Sequence, residues 1–411
     1  MAGIKGFMKS GHPATLLSSF LYFDISFMIW VMLGATSTFI VSDFNLTPAQ
    51  KGMMVGIPIL GGALLRIPMG LLADKYGGKK VGIAGMLVTM IPLLWGWFFG
   101  NSLSEVQAFG FLLGVAGGSF AVALPLASRW YPPEHQGLAM GIAGAGNSGT
   151  VFASLFAPRL AQVYGWHTVF GLTLVPLLVA LTVFVIFAKE SPNRPKPQTV
   201  GSYLSIIKLK ETWLFSFFYS LSFGGFSGLT SYLAIFFVDQ YGVSKITAGD
   251  FVTVVVFAGS FVRPIGGYIS DRIGGEDFLV KLYGAATIVL VVVGMLPSVY
   301  VVLTLLFVTL MIFGFANGAL FQVIPVRFPK EVGIFTGFVG AAGGLGGFFL
   351  PNILGTFKSI TNSYSYGFWW FAATYLAAMF ILIALKKSWQ KSQFKELEIP
   401  SNMAAQSVNK S

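Results

Sequence analysis

The chain contains no cysteine, which excludes a disulfide framework, a thiol nucleophile and a thiolate metal site. Histidine is nearly as scarce. His12, His135 and His167 lie apart, near the ends of expected helices, and read as structural groups rather than metal ligands or proton relays. Charge is also thin: 10% of the 411 residues are Asp, Glu, Lys or Arg, against about 25% in a typical soluble domain. Polar side chains this sparse cannot cover a globule, and 55% of the residues are hydrophobic. No nucleotide loop, metal cluster or nucleophile and base pair is found, so the chain is expected to be no enzyme and to need no cofactor or metal.

What is present is apolar sequence in runs long enough to cross a hydrocarbon core about 30 Å thick, which takes roughly 20 helical residues. Breaks between these runs predict twelve spans, near 16–40, 52–73, 79–99, 104–130, 137–160 and 167–189, then 211–238, 248–271, 278–297, 300–325, 333–356 and 364–386. The first is too long for a signal-peptide core and lacks a clear cleavage site, so it reads as a retained helix. Fifty glycines inside these runs suit membrane helices whose backbones approach closely.

Of the 26 Lys and Arg, 20 fall in the loops that share a side with both termini, four (Lys51, Arg159, Lys245, Lys358) on the other side, and two within spans. The asymmetry predicts a multi-pass plasma-membrane protein with both termini cytoplasmic. It also accounts for the net charge of +11 without a nucleic-acid partner.

The chain repeats itself. An offset of 197 aligns Arg66, Gly70, Asp74 and Gly77 with Arg263, Gly267, Asp271 and Gly274, and an offset of 196 aligns Gly137, Gly141 and Gly144 with Gly333, Gly337 and Gly340. The expected organisation is therefore a six-helix half over 1–190, a cytoplasmic linker over 191–210 carrying Ser191-Pro192-Asn193-Arg194-Pro195-Lys196-Pro197, a second six-helix half over 211–386, and a tail over 387–411. Parallel halves of this kind place a substrate site between them near the bilayer midplane. Gly70-Leu71-Leu72-Ala73-Asp74-Lys75-Tyr76-Gly77-Gly78-Lys79-Lys80 resembles the loop motif that follows the second helix in the major facilitator superfamily, and a degenerate copy begins at Gly267. The resemblance implies an all-α membrane fold of two pseudo-symmetric halves, with Gly70, Asp74, Gly77 and Asp271 forming a gating motif.

Arg66 and Arg263 stand in otherwise uncharged spans, each eight residues before its Asp, or roughly 12 Å along a helix. Arginine at such depth costs at least about 2.5 to 3.5 kcal/mol, so the pair is expected to face an internal cavity. Asp24 is the one acid well inside a span, while Glu105 and Glu211 lie at ends. At least one arginine is then left for a mobile anion, and a planar guanidinium that donates two parallel hydrogen bonds fits a small trigonal or bent oxyanion.

Gly141-Ile142-Ala143-Gly144-Ala145-Gly146-Asn147-Ser148-Gly149-Thr150 and the related segment from Gly337 to Gly347 resemble the paired signature segments of the nitrate/nitrite porter family within that superfamily, and the resemblance extends over nearly the whole chain. It implies a secondary transporter of nitrate or nitrite. The implied binding residues are Arg66 and Arg263 as clamps, Asn147 and Tyr219 as donors, Phe120 and Phe321 as flanking aromatics, and Gly144 and Gly340 in the signature segments. In the first span the alignment offers Leu33 where the family carries an aromatic, and Phe27 or Trp30 is the expected substitute. A functional monomer is expected, since two halves already enclose a site. Exchange of nitrate for nitrite and proton-coupled uptake both remain open, with Asp24 as the candidate proton carrier. The alternatives are a porter for another small anion or an organic solute, and a membrane sensor, which the absence of any soluble signalling domain disfavours.

Overall fold

In lipid every backbone polar group must be satisfied within the protein, which confines a spanning chain to helices or a closed barrel. The computed structural model describes residues 4–192, 200–327 and 332–408, and all of its regular elements are helical. Asp271 and Phe321 lie outside the described side chains. Eleven helical stretches among the described residues are long and apolar enough to cross a membrane. In chain order these are Pro13–Phe44, Pro48–Tyr76, Gly78–Phe98, Leu103–Ser128, Trp166–Phe187, Lys210–Tyr241, Lys245–Ser270, Gly275–Gly294, Val299–Leu320, Gly337–Thr361 and Ser365–Lys386.

The twelfth expected crossing, fifth in chain order, differs from expectation in being broken. Over the stretch expected as one span at 137–160, helix Pro133–Gly144 passes into a 3-10 turn, Ala145–Ser148, and then into helix Gly149–Tyr164. The reason is local. Gly141, Gly144, Gly146 and Gly149 cluster here, glycine is about 1 kcal/mol poorer than alanine in a helix, and the tighter i→i+3 bonding of a 3-10 turn suits short stretches. Hydropathy alone does not register such a change in hydrogen bonding. The first and eighth spans are also jointed, at Val31 and at Val262, the latter just before Pro264.

The two halves repeat one another in detail. The second and third spans meet at Gly77 (φ +103°), and the eighth and ninth meet at its repeat partner Gly274 (φ +86°). Both sit in a backbone region open almost only to glycine. The second and fourth spans touch backbone to backbone, so that a Cβ on Gly114 would strike Gly61. The eighth and tenth do likewise, Gly314 against Gly259.

The halves close on each other at the end away from the termini. Gly52 lies against the Pro351 carbonyl and Gly355 against that of Pro48. Lys51 pairs with Asp239 at 2.6 Å, and Asp239 also accepts from the Tyr364 hydroxyl at 3.1 Å. Arg159 pairs with Asp250 at 2.8 Å. Both ion pairs join one half to the other. By contrast, the Asp74 carboxylate of the loop motif accepts from Arg129 at 2.6 Å within its own half, at the terminal end.

Candidate anion site between the halves

Arg66 projects from the middle of the long second span and is 2% exposed. Its Nε donates to the Gly117 carbonyl at 3.3 Å and its Nη1 to the Gly340 carbonyl at 2.5 Å, while Nη2 has no hydrogen-bond partner among the described residues. No carboxylate pairs with it there. A buried cation without an acid partner is costly unless something else compensates it. Aromatic faces supply part of that compensation, with the rings of Trp30, Phe120 and Phe223 centred 5.3, 5.1 and 4.9 Å from the guanidinium carbon. Each such contact is worth about 0.5 to 2 kcal/mol, more where water is excluded.

These rings are held in place. The Trp30 indole donates to the Pro58 carbonyl at 2.6 Å, in a slot where any side chain on Gly62 or Gly117 would collide with it. Trp30 thus lies against the Arg66 guanidinium from the first span. Phe27 packs edge-on against Trp30 at 5.0 Å, and Leu33 lies elsewhere, against Gly110.

Tyr219, fully buried, stacks on Phe223 with ring centres 5.2 Å apart and 7° between planes. Its hydroxyl lies near the Arg263 guanidinium. Both arginines act on it electrostatically, and they are near enough to repel each other. Arg263 begins the second segment of the jointed eighth span and is only partly buried. Arg66, Arg263, Tyr219 and Phe120 therefore gather as the sequence suggested. Phe223 joins them unforeseen, although its position one helical turn after Tyr219 placed both on one face.

The glycines act through their backbone or not at all. Gly340 contributes its carbonyl to Arg66, and a Cβ there would meet Phe120 only at ordinary contact distance; Gly144 is similarly uncrowded. Asn147 lies in the 3-10 turn, 3% exposed, with no hydrogen-bond partner on its amide oxygen among the described residues. Asp24 is 5% exposed and accepts from the Ser148 hydroxyl at 2.7 Å. The histidines have structural surroundings: His12 caps the first span by accepting from the Thr15 N–H, His135 meets Phe7 edge-on, and His167 stacks on Trp166.

Known proteins resemble this chain over most of its length. Residues 16–351 match the model of the Major Facilitator Superfamily. The chain is 33% identical to the probable nitrate/nitrite transporter NarK2 of Mycobacterium tuberculosis, over 90% of this chain and 95% of that one. It is 29% identical to the nitrite extrusion protein of Bacillus subtilis (93% and 95% covered) and 32% identical to the probable nitrate/nitrite antiporter NarK1 of Thermus thermophilus (81% and 82%). Among solved structures, a bacterial homologue of the human lysosomal transporter Spinster superposes with a TM-score of 0.66 at 18% identity, covering 92% of this chain and 97% of that one.

Proposed function

Because the chain belongs to the Major Facilitator Superfamily, and within it to the nitrate/nitrite porter family, we propose that this transporter exchanges nitrate and nitrite across the plasma membrane by alternating access. The observation that carries this reading is the free Nη2 edge of Arg66. Backbone carbonyls hold Nε and Nη1, aromatic rings surround the guanidinium, and Nη2 is the donor left to a planar oxyanion. Arg263 and Tyr219 supply donors from the other half, and Asn147 a side-chain amide. The names of the relatives from Mycobacterium, Bacillus and Thermus support nitrate and nitrite over other small anions.

Exchange follows from charge. A membrane potential of about 100 mV, negative inside, opposes inward movement of one anion by about 2.3 kcal/mol. One-for-one anion exchange moves no net charge and is indifferent to that potential. Two neighbouring guanidiniums in an empty site repel, which opposes closure of the halves around it, and a bound anion relieves the repulsion. Unloaded return is thereby disfavoured. With the termini in the cytoplasm, the end sealed by Lys51–Asp239 and Arg159–Asp250 is the outer one, and the protein works as a monomer within the bilayer.

A second reading, proton-coupled uptake, rests on Asp24, a carboxylate buried in the first span. Nitrate flux into proteoliposomes separates the two. Uptake only into nitrite-loaded vesicles establishes exchange; uptake into nitrite-free vesicles driven by an inward proton gradient establishes symport. Absence of nitrate flux in all conditions, with folded protein, removes both and returns the site to another anion.

A further inference from the structure

The break in the fifth span brings a helix start into the protein interior. The turn closes on its own backbone, the Gly149 N–H donating to the carbonyls of Gly146 and Asn147. For Gly149–Tyr164 the preceding residue, Ser148, is of a type that often supplies the acceptor, yet it makes no capping bond of its own. Its hydroxyl instead donates to Asp24 Oδ1 at 2.7 Å.

We infer that Asp24, from the first span, braces the 3-10 turn of the fifth through the Ser148 hydroxyl and is thereby the positioning residue for Asn147. The backbones of the two spans are pressed together at this point. A Cβ on Gly149 would collide with the Asp24 carbonyl oxygen, and one on Gly146 would meet the Phe23 ring and the Asp24 nitrogen. The carboxylate thus braces the turn from one side while glycines admit the helix on the other. Asn147 lies between the two glycines, buried, its amide oxygen without a hydrogen-bond partner among the described residues.

The same helix face connects the brace to the arginine. Phe23, beside Asp24, meets Phe120 edge-on at 5.8 Å, and Phe120 covers one face of Arg66. Trp30 covers another face from the far end of the same helix. Asp24 therefore fixes the spacing between Asn147 and the aromatic wall of the guanidinium.

The role rests on the anion-site reading of Arg66 and Asn147, and the test is chosen to tell the two apart. In the full-length protein, Asp24→Ala removes the acceptor, Asp24→Asn keeps an acceptor oxygen but no charge, and Ser148→Ala removes one donor. Asp24→Ala is expected to raise the nitrate KM about tenfold or more with the maximal rate changed less than threefold. Asp24→Asn recovers most of the affinity, and Asp24→Ala with Ser148→Ala is no worse than Asp24→Ala alone. Hydrogen–deuterium exchange over residues 145–152 is expected to rise about tenfold in Asp24→Ala, whatever the substrate. A wild-type KM in Asp24→Ala overturns the role, as does an Asp24→Asn protein as weak as Asp24→Ala. Unchanged exchange over 145–152 overturns it also. Increased exchange in a protein that carries no nitrate upholds the brace and overturns the substrate reading alone. If Asp24→Ala does not fold, Ser148→Ala serves in its place, with a KM rise of about threefold expected and a wild-type KM overturning the role.

Discussion

Arg66 donates through Nη1 to the carbonyl oxygen of Gly340 at 2.5 Å, joining the two halves of the molecule across 274 residues of chain. Its three donor positions are thus divided, Nε to its own half, Nη1 to the other, and Nη2 left to a ligand. A lysine reaches with one ammonium and cannot serve both halves and a bidentate ligand in a fixed plane. Arg66→Lys is expected to lose most transport although the charge is kept. A hydrogen bond to a charged group is worth about 1.5 to 3 kcal/mol, so initial nitrate uptake should fall roughly ten- to a hundredfold. Arg263→Lys, which loses the fork facing Tyr219, should fall in the same range. Near-normal uptake in both variants removes the clamp.

Phe223 offers a separate measure of the aromatic wall. Its ring lies 4.9 Å from the Arg66 guanidinium carbon and stacks on Tyr219. Phe223→Leu keeps an apolar side chain in this place and removes the π face. Loss of a contact worth about 0.5 to 2 kcal/mol should raise the nitrate KM roughly two- to thirtyfold, while Phe223→Tyr, which retains the ring, should stay nearer to wild type. Equal KM values for Leu and wild type would show that this face contributes volume alone.

How much of this was written in the sequence depends on the kind of physics involved. Spans, repeat and intramembrane arginines were legible because insertion into lipid acts on composition over about 20 residues, and a charge in such a run stands out. Arg66 and Arg263 were therefore recognisable without contacts. Phe223 was not, since it is one of 41 phenylalanines and only its turn-of-helix distance from Tyr219 sets it apart. The break at Ala145–Ser148 was hidden for another reason: it replaces one hydrogen-bond register by another without changing hydropathy. The partners of Asp24 were hidden with it, because Ser148 lies 124 residues away.

The positive φ at Gly77 gives a stability prediction independent of substrate. At φ +103° and ψ 141° a side chain is strained, at a cost of about 1 to 3 kcal/mol. Gly77→Ala should lower the thermal midpoint of the purified protein, and Gly274→Ala, at φ +86° and ψ 125° in the second half, should do the same. If both alanine variants melt with the wild type, the tight turns of the repeat do not require glycine.

The ion pair between Lys51 and Asp239 gives a prediction about the transport cycle. Its side chains are only 11% and 21% exposed, and Tyr364 adds a hydrogen bond to the same carboxylate oxygen. The pair should therefore contribute more than the roughly 0 to 1 kcal/mol of a fully solvated bridge, and it does so only while this end of the molecule is closed. Opening breaks it. Lys51→Asp alone places two acids together and Asp239→Lys alone two bases, so each should destabilise the closed state and reduce exchange several-fold. The double exchange, Lys51→Asp with Asp239→Lys, restores opposite charges and should recover much of the lost rate. Recovery in the swapped protein ties the effect to the pair, since independent damage at two sites would accumulate. The absence of cysteine permits a direct check of geometry. A single cysteine introduced near Tyr219 should react faster with an impermeant thiol reagent added from the Lys51 end in either single variant than in the swapped protein. Equal labelling in all three would show that the pair does not govern access from that end.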